Sequence, residues 1–337
     1  MSKDKRYVIG IDVGGTKIMA VLFDSSFRPL GKVRTKTRPN EGEHHFIGIL
    51  RDAVRQLLKD AHLDRDEIIG IGMGCPGIIN EKRGVVQSSP NIRFLKNYPL
   101  TQKLSKTTGL RATAANDVTA GLYGEQQFGA AKGSRNVIGI FIGTGIGGAM
   151  IVDGKMLHGS TGAAGEIGHI QVSPTGPLCG CGKRGCLEAM ASRLAIASEA
   201  AALAARQQAP ALFRKAGTDL SDIRSGTIAK AIRSGDRQLE RLVRDKARLI
   251  GSVLGNLVNV LNPELAVLGG GLAEALSRYL VPEAEQAMRE TVMPSLANTV
   301  RVVSAKLGDY AVAMGAAKMA WDHFSSSLGR RKEDYHG

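Results

Sequence analysis

Apolar positions recur along the chain in two rhythms. Short runs rich in Ile, Val and Gly, broken by turn residues, read as strands, and apolar positions at helical spacing read as helices. Strand patterns fit Ile68–Gly74, Arg111–Ala115, Leu265–Leu268 and Val300–Val303. Helical patterns fit Phe46–Ala61, Val118–Phe128, Leu187–Arg206, Gln238–Leu261 and Glu274–Glu290. A last helix is expected over Tyr310–Phe324, followed by a frayed, disordered tail from Ser325 to Gly337. This alternation predicts an α/β protein. The pattern also repeats internally. Tyr7–Asp24 reads YVIGIDVGGTKIMAVLFD, Asn136–Asp153 reads NVIGIFIGTGIGGAMIVD, and the two align without a gap. Each is an apolar strand, a turn of Gly and Thr, and a second apolar strand ending in Asp, hence a β-hairpin. Two such hairpins, one opening each half, predict two related domains meeting across short hinges, one of them near Ala115–Asp117.

Composition narrows the class. With 337 residues, 43% of them apolar and 23% charged, the chain can bury a large core and has room for two domains. Its 42 glycines gather in runs such as Gly14-Gly15, Gly143–Gly148 and Gly269–Gly271, where the backbone approaches something closely. The formal charge of +14 raises the question of nucleic acid. Lys and Arg are spread along the whole chain, with one dense run at Arg330-Arg331-Lys332, and no helix-turn-helix pattern or aromatic-basic stripe accompanies them. A basic surface around an anionic substrate is the expectation, without a nucleic-acid partner. Met1–Arg6 lead directly into a strand containing Asp12, so no signal peptide is expected. The longest uncharged apolar stretch, Val137–Val152, is too short and glycine-rich to span a bilayer. A cytoplasmic protein without a membrane partner follows.

The candidate chemistry sits at the glycine runs. In Asp12-Val13-Gly14-Gly15-Thr16-Lys17, glycines in a hairpin turn let backbone N–H groups reach phosphate oxygens. Thr16 and Lys17 add a hydroxyl and a cation, and Asp12 can hold Mg²⁺ through water. The counterpart, Gly143-Thr144-Gly145-Ile146-Gly147-Gly148, makes a paired phosphate clamp. It also matches the dinucleotide fingerprint, but strand and turn follow it (Ala149–Gly154) where that fingerprint needs a helix. Ala266–Leu272 runs from a strand through Gly270 and Gly271 into a helix and could seat an adenosine. At Ala115-Asn116-Asp117 a strand gives way to a helix, so Asp117 is either a helix cap or a general base at a domain junction.

Three of the four cysteines, Cys179, Cys181 and Cys186, lie close together behind His169. In a cytoplasmic protein such clustering reads as metal binding, and a Cys₃His set suits tetrahedral structural zinc with no open position. The zinc would pin a segment carrying Glu166, His169 and Glu188, polar side chains suited to sugar hydroxyls. The fourth cysteine, Cys75, lies in an apolar strand and is expected to be buried.

Taken together, DVGGTK at Asp12–Lys17, AND at Ala115–Asp117, GTGIGG at Gly143–Gly148, GEIGH at Gly165–His169 and CGCGKRGCLE at Cys179–Glu188 resemble the ROK family (repressors, open reading frames and kinases). The resemblance runs from about Val8 to Ala320. It implies a two-domain α/β actin-like ATPase (ribonuclease H-like) fold, with ATP and sugar in the inter-domain cleft. Residues 1–115, joined by a C-terminal helix over 309–324, would form the smaller domain. Residues 116–308 would form the larger, with a zinc-binding loop at 169–186. It further implies Asp117 as catalytic base, and Gly77, Asn91, Asn116, Glu166, His169 and Glu188 as sugar contacts. ATP would lie on Asp12, Gly14, Gly15, Thr16, Lys17, Gly143, Thr144, Gly145, Gly147, Gly270 and Gly271. Zinc would lie on His169, Cys179, Cys181 and Cys186, with one imidazole nitrogen on the metal and the other toward the sugar.

The implied reaction is Mg·ATP-dependent phosphorylation of a hexose at its 6-hydroxyl, with glucose leading, in a homodimer or homotetramer. Ile92-Arg93-Phe94-Leu95 after Asn91 departs from the Leu-Pro-Gly-Trp-like stretch of many family glucokinases, beside the implied sugar pocket. N-acetylglucosamine or N-acetylmannosamine is the alternative substrate, and polyphosphate the alternative donor. The alternative of another class is a non-catalytic, sugar-responsive regulator. Family repressors carry an extra N-terminal DNA-binding segment, and only about six residues precede the first strand here, which favours the enzyme.

Overall fold

The computed structural model describes residues 7–333. The first hairpin forms from β1 (Tyr7–Val13) and β2 (Lys17–Asp24), paired antiparallel from Tyr7↔Asp24 to Val13↔Ile18. Next come β3 (Pro29–Lys36), α1 (Gly42–Asp60), β4 (Ile68–Cys75), β5 (Ile78–Asn80), β6 (Val85–Ser88), α2 (Leu100–Thr108), β7 (Ala112–Asn116) and α3 (Asp117–Phe128). The second hairpin is β8 (Val137–Ile142) with β9 (Ile146–Val152), paired from Val137↔Ile151 to Ile142↔Ile146. After it come β10 (Lys155–Met156), α4 (Leu187–Ala191), α5 (Arg193–Ala205), α6 (Pro210–Ala216), α7 (Ser225–Arg233) and α8 (Arg237–Leu261). The chain closes with β11 (Leu265–Gly269), α9 (Gly270–Thr291), β12 (Arg301–Ser304) and α10 (Ala311–Glu333).

Two five-stranded sheets result, ordered β3-β2-β1-β4-β7 and β10-β9-β8-β11-β12. Each has an antiparallel meander on one side and parallel strands on the other, so the repeat seen in sequence extends to whole sheets. The chain divides into two compact units. Among the described residues, one holds 7–129, 158–164 and 309–333, and the other 130–157 and 165–308. The boundary after α3 lies beyond the one expected at Ala115–Asn116.

In the first unit, strand alternation sends side chains to both faces of the sheet. Ile9 and Ile11 join Leu50, Val54 and Leu57 of α1, and Val8 and Val21 join Ala313, Ala317 and Ala320 of α10. Gly10 and Gly72 let α10 lie directly on the strands, because a Cβ at either would collide with the carbonyl of Ala313 or Ala316. The second unit has one core, in which Ile138, Ile140 and Ile142 meet Leu254 and Val258 of α8 and Leu272, Leu276 and Leu280 of α9. Each such fully buried Leu or Ile contributes about 1.5–3 kcal/mol from apolar burial.

Three expectations change. The helix expected over Leu187–Arg206 is two helices, because Ser192 is extended (φ −68°, ψ 168°) and its hydroxyl caps α5 by accepting from Ala195 N–H. The final helix does not stop at Phe324 but continues to Glu333, through a segment with no proline to end it. Of the expected tail, residues 334–337 lie outside the described residues. Finally, Ile92-Arg93-Phe94-Leu95 is anchored to the core by its apolar members, with Arg93 exposed: Ile92 and Leu95 are fully buried, and the half-buried Phe94 ring lies 5.6 Å from Phe46 and 6.3 Å from Tyr98.

Candidate active site

In the first unit, the parallel strands carry their chemistry at their carboxyl ends, the usual place for a site in such sheets. Asp12 pairs in register with Gly74, and Cys75 with Asn116, so Asp12, Gly77, Asn116 and Asp117 gather at one end of the sheet. Gly77 has φ +116°, and a side chain there would collide with the Ser88 carbonyl. The helix cap falls to Asn116, not to Asp117. Asn116 Oδ1 accepts from the N–H groups of Val118 (2.8 Å) and Thr119 (3.1 Å), and its Nδ2 donates to the Gly77 carbonyl at 3.0 Å. Asp117 is thereby the first residue of α3, and one of its oxygens accepts from Val118 N–H at 3.0 Å.

Two further carboxylates, Asp117 and Asp309, act on Asp12 here. Burial, and then the charges of Asp117 and Asp309, push Asp12 up from 3.8 to about 7, with Lys17 opposing. Burial likewise raises the Cys75 thiol well above its usual range, with Asp117 and Asp12 adding to the effect. Cys75 is fully buried, as expected. Asp309, just ahead of α10, also pairs with Arg34 at 2.5 Å. The glycine turn after β1 is closed by Gly14 N–H donating to Lys17 O at 2.8 Å. The buried Thr37 holds it from β3's side: its hydroxyl donates to Gly14 O at 2.6 Å, and its N–H to Thr16 O at 3.0 Å. Asn91 lies against Gly15, its Cβ at 3.2 Å from where a glycine Cβ would stand. Thr16 and Lys17 project into solvent.

In the second unit, the turn after β8 closes through Gly143 N–H to Gly145 O at 2.9 Å. Gly147 stands in β9 opposite Phe141, outside the turn. Gly270, at φ +84°, abuts the backbone of Ile142 at distances a Cβ would not permit, which brings the start of α9 beside Gly143. Around Gly271 the space is open. The corner between α4 and α5 holds the turn from the side. Glu188 Oε2 accepts from Ile146 N–H at 2.9 Å, Arg193 N–H donates to Gly143 O at 3.0 Å, and Arg193 Nη2 donates to Thr144 Oγ1 at 3.0 Å.

The same corner begins at the cysteine cluster. The ligand atoms of His169, Cys179, Cys181 and Cys186 all lie within 4.8 Å of one another. Cys181 and Cys186 sulfurs are 3.7 Å apart, and Cys179 Sγ is 3.6 Å from His169 Nδ1. Metal–sulfur bonds of about 2.3 Å in a tetrahedron place ligand atoms about 3.8 Å apart, so this donor set fits zinc in type and spacing. Burial pushes the Cys179 thiol up to about 12, and a cation among the ligands reverses that preference. His169 Nε2 points the other way, 3.8 Å from Glu166 Oε2, so the two ring nitrogens serve different neighbours. Glu188 is shared similarly: Oε1 is 3.7 Å from Cys179 Sγ, and Oε2 holds the glycine turn. Thr37, Asp309 and Arg193 were not among the residues picked out by motif. No local pattern marks Thr37 or Asp309, and Arg193 falls inside what read as one continuous helix.

The duplicated sheets, each opened by a hairpin with a glycine turn, define the class: the fold is that of the actin-like ATPases. A ROK family model matches residues 8–323, and the chain belongs to the ROK family. Glucokinase of Thermotoga maritima is 32% identical over 94% of this chain and 97% of its own length. Glucokinase of Streptomyces coelicolor is 35% identical over 93% and 96%. Among solved structures, a ROK family glucokinase from Streptomyces griseus in complex with glucose and AMPPNP superposes with a TM-score of 0.83. It is 32% identical, over 94% of this chain and 99% of that one. No helix among the described residues is long and apolar enough to cross a membrane.

Proposed function

We propose that this chain transfers the γ-phosphoryl group of Mg·ATP to the 6-hydroxyl of glucose, with Asp117 as general base. It is an enzyme of the hexokinase class, a phosphotransferase with an alcohol acceptor. The observation that carries the base assignment is the division of labour at the start of α3, where Asn116 takes the cap and Asp117 faces the Asp12 end of the sheet. In the proposed step, an Asp117 oxygen accepts the proton of the 6-hydroxyl as that oxygen bonds to the γ-phosphorus. The bond from phosphorus to the β,γ-bridging oxygen breaks, ADP leaves with the electron pair, and Asp117 returns its proton to solvent. Positioning and charge neutralisation supply most of such a rate. Magnesium, when bound with ATP, neutralises phosphate charge, and Asp12 with the turn at Gly14–Lys17 would hold it through water.

The second unit's turn, Gly143–Gly145, together with Gly270, suits the nucleotide. Glu166, His169, Glu188, Asn91 and Gly77 are assigned to the sugar hydroxyls. Zinc on His169, Cys179, Cys181 and Cys186 has a full set of protein ligands and is therefore structural. Coupled ADP-release assays over glucose, N-acetylglucosamine, N-acetylmannosamine and a no-sugar control test the reading. Glucose should give the highest kcat/KM. A preference for an N-acetylhexosamine overturns the sugar assignment, and no ADP release with any sugar favours a non-catalytic regulator.

A further inference from the structure

The corner between α4 and α5 places a cation on the second glycine turn. Arg193 is the first residue of α5, and Ser192 before it caps the helix, which fixes where the Arg193 backbone lies. That backbone donates to Gly143 O, and one guanidinium N–H donates to Thr144 Oγ1, each at 3.0 Å. Two consequences follow from donor counting. A guanidinium has five N–H donors and one is used here, while no carboxylate pairs with Arg193 among the described residues. The Thr144 oxygen accepts from Arg193, so its own proton is directed elsewhere and remains a donor. The turn thus presents an arginine without a counter-ion, a hydroxyl proton and glycine backbone, a set whose natural complement is a phosphate oxygen.

We infer that Arg193 reads a phosphate of the bound nucleotide, acting directly through its guanidinium and through Thr144, whose hydroxyl it orients as a co-donor. This assignment rests on the proposed nucleotide site at Gly143–Gly145 and adds to it a charged residue outside the glycine motif. Glu188 complements it from the other end of the corner, since its carboxylate holds Ile146 N–H and keeps the turn in register with Arg193.

Calorimetric titration of the full chain with Mg·ATP, Mg·ADP and adenosine, in the absence of sugar, tests the inference without turnover. R193M, which keeps the apolar stem, should bind Mg·ATP about tenfold or more weakly, bind adenosine like the native protein, and show a weaker salt dependence of ATP binding. R193K should recover part of the ATP affinity. Native-like Mg·ATP binding by R193M overturns the inference. So does an equal loss for ATP and adenosine, because that would make Arg193 a prop for the turn and not a reader of phosphate. If R193M does not fold, R193Q gives the same contrast. A native protein that binds no Mg·ATP would instead sink the nucleotide site itself, and this inference with it.

Discussion

The two glycine turns share a sequence pattern and equivalent positions in equivalent sheets, yet they are held by different chemistry. A single buried neutral residue, Thr37, secures the first: its hydroxyl donates to the carbonyl of Gly14 and its backbone N–H to that of Thr16. The second is secured by Glu188 and Arg193, charged residues on a corner that starts at Cys186. Thr37 follows directly on β3, so the hydrogen bonds that hold the first turn come from its own sheet. The second depends on a segment set by the cysteine cluster, through a carboxylate that touches both Cys179 and the turn. Duplicated architecture therefore does not entail duplicated sensitivity: perturbing the proposed metal ligands should reach one turn and spare the other.

The largest effect should come from the group that belongs to neither turn. Asp117→Asn is expected to lower kcat by about 10³-fold, within the range for loss of a general base. Mg·ATP and sugar affinities, measured by calorimetry, should stay near native, and near-normal turnover would remove Asp117 from the base role. Next, Cys181→Ser or dialysis against a strong chelator should lower the melting temperature by roughly 5–10 °C, as loss of a structural metal worth several kcal/mol requires. Nucleotide and sugar affinity should fall together, and a metal-free protein with full stability and affinity would break the link between cluster and turn.

Glu188→Ala should loosen the second turn without removing a cysteine ligand. Loss of a charged hydrogen-bond acceptor costs about 1.5–3 kcal/mol, so Mg·ATP binding should weaken roughly tenfold or more while the metal content stays unchanged by elemental analysis. Thr37→Val, nearly isosteric, tests the first turn. It should weaken Mg·ATP by about fivefold, since a neutral hydrogen bond contributes about 1 kcal/mol, and should leave metal content and sugar affinity as they are. An equal effect of both substitutions would erase the contrast between the turns.

A separate effect, on stability and not on binding, is a pH dependence on the first unit's side. Asp12 is raised from 3.8 to about 7 in the folded, ligand-free protein, so between these values the native state holds a proton that the unfolded chain has released. The stabilisation associated with that proton is complete at low pH and is lost as pH rises through about 7. Melting temperatures measured across that range should fall with pH, and Asp12→Asn should flatten this component. A native-like slope in the variant would assign the proton to another group.

Both hairpins were legible in the chain because their signal is local: apolar strands interrupted by Gly and Thr at matching positions. The cysteine cluster was legible for the same reason, since its four ligands lie within one short segment. Other features depended on neighbours distant in sequence. Ile92–Leu95 looked like a variation beside a pocket until Phe94 met Phe46 and Tyr98. Gly270 and Gly271 read alike as a nucleotide seat until the Gly270 backbone met Ile142 and the space around Gly271 stood open.

The sequence alone determined which strands turn back on themselves, where glycine admits a close approach, and which side chains can bind a metal. These follow from the covalent order of a few adjacent residues. Tertiary structure alone decided that Asp12 feels the charges of Asp117 and Asp309, and that Thr37 holds one turn while Glu188 and Arg193 hold the other. A hydrogen bond or a charge effect is set by distance through space. In this fold the sheets bring together residues that the chain keeps tens or hundreds of positions apart.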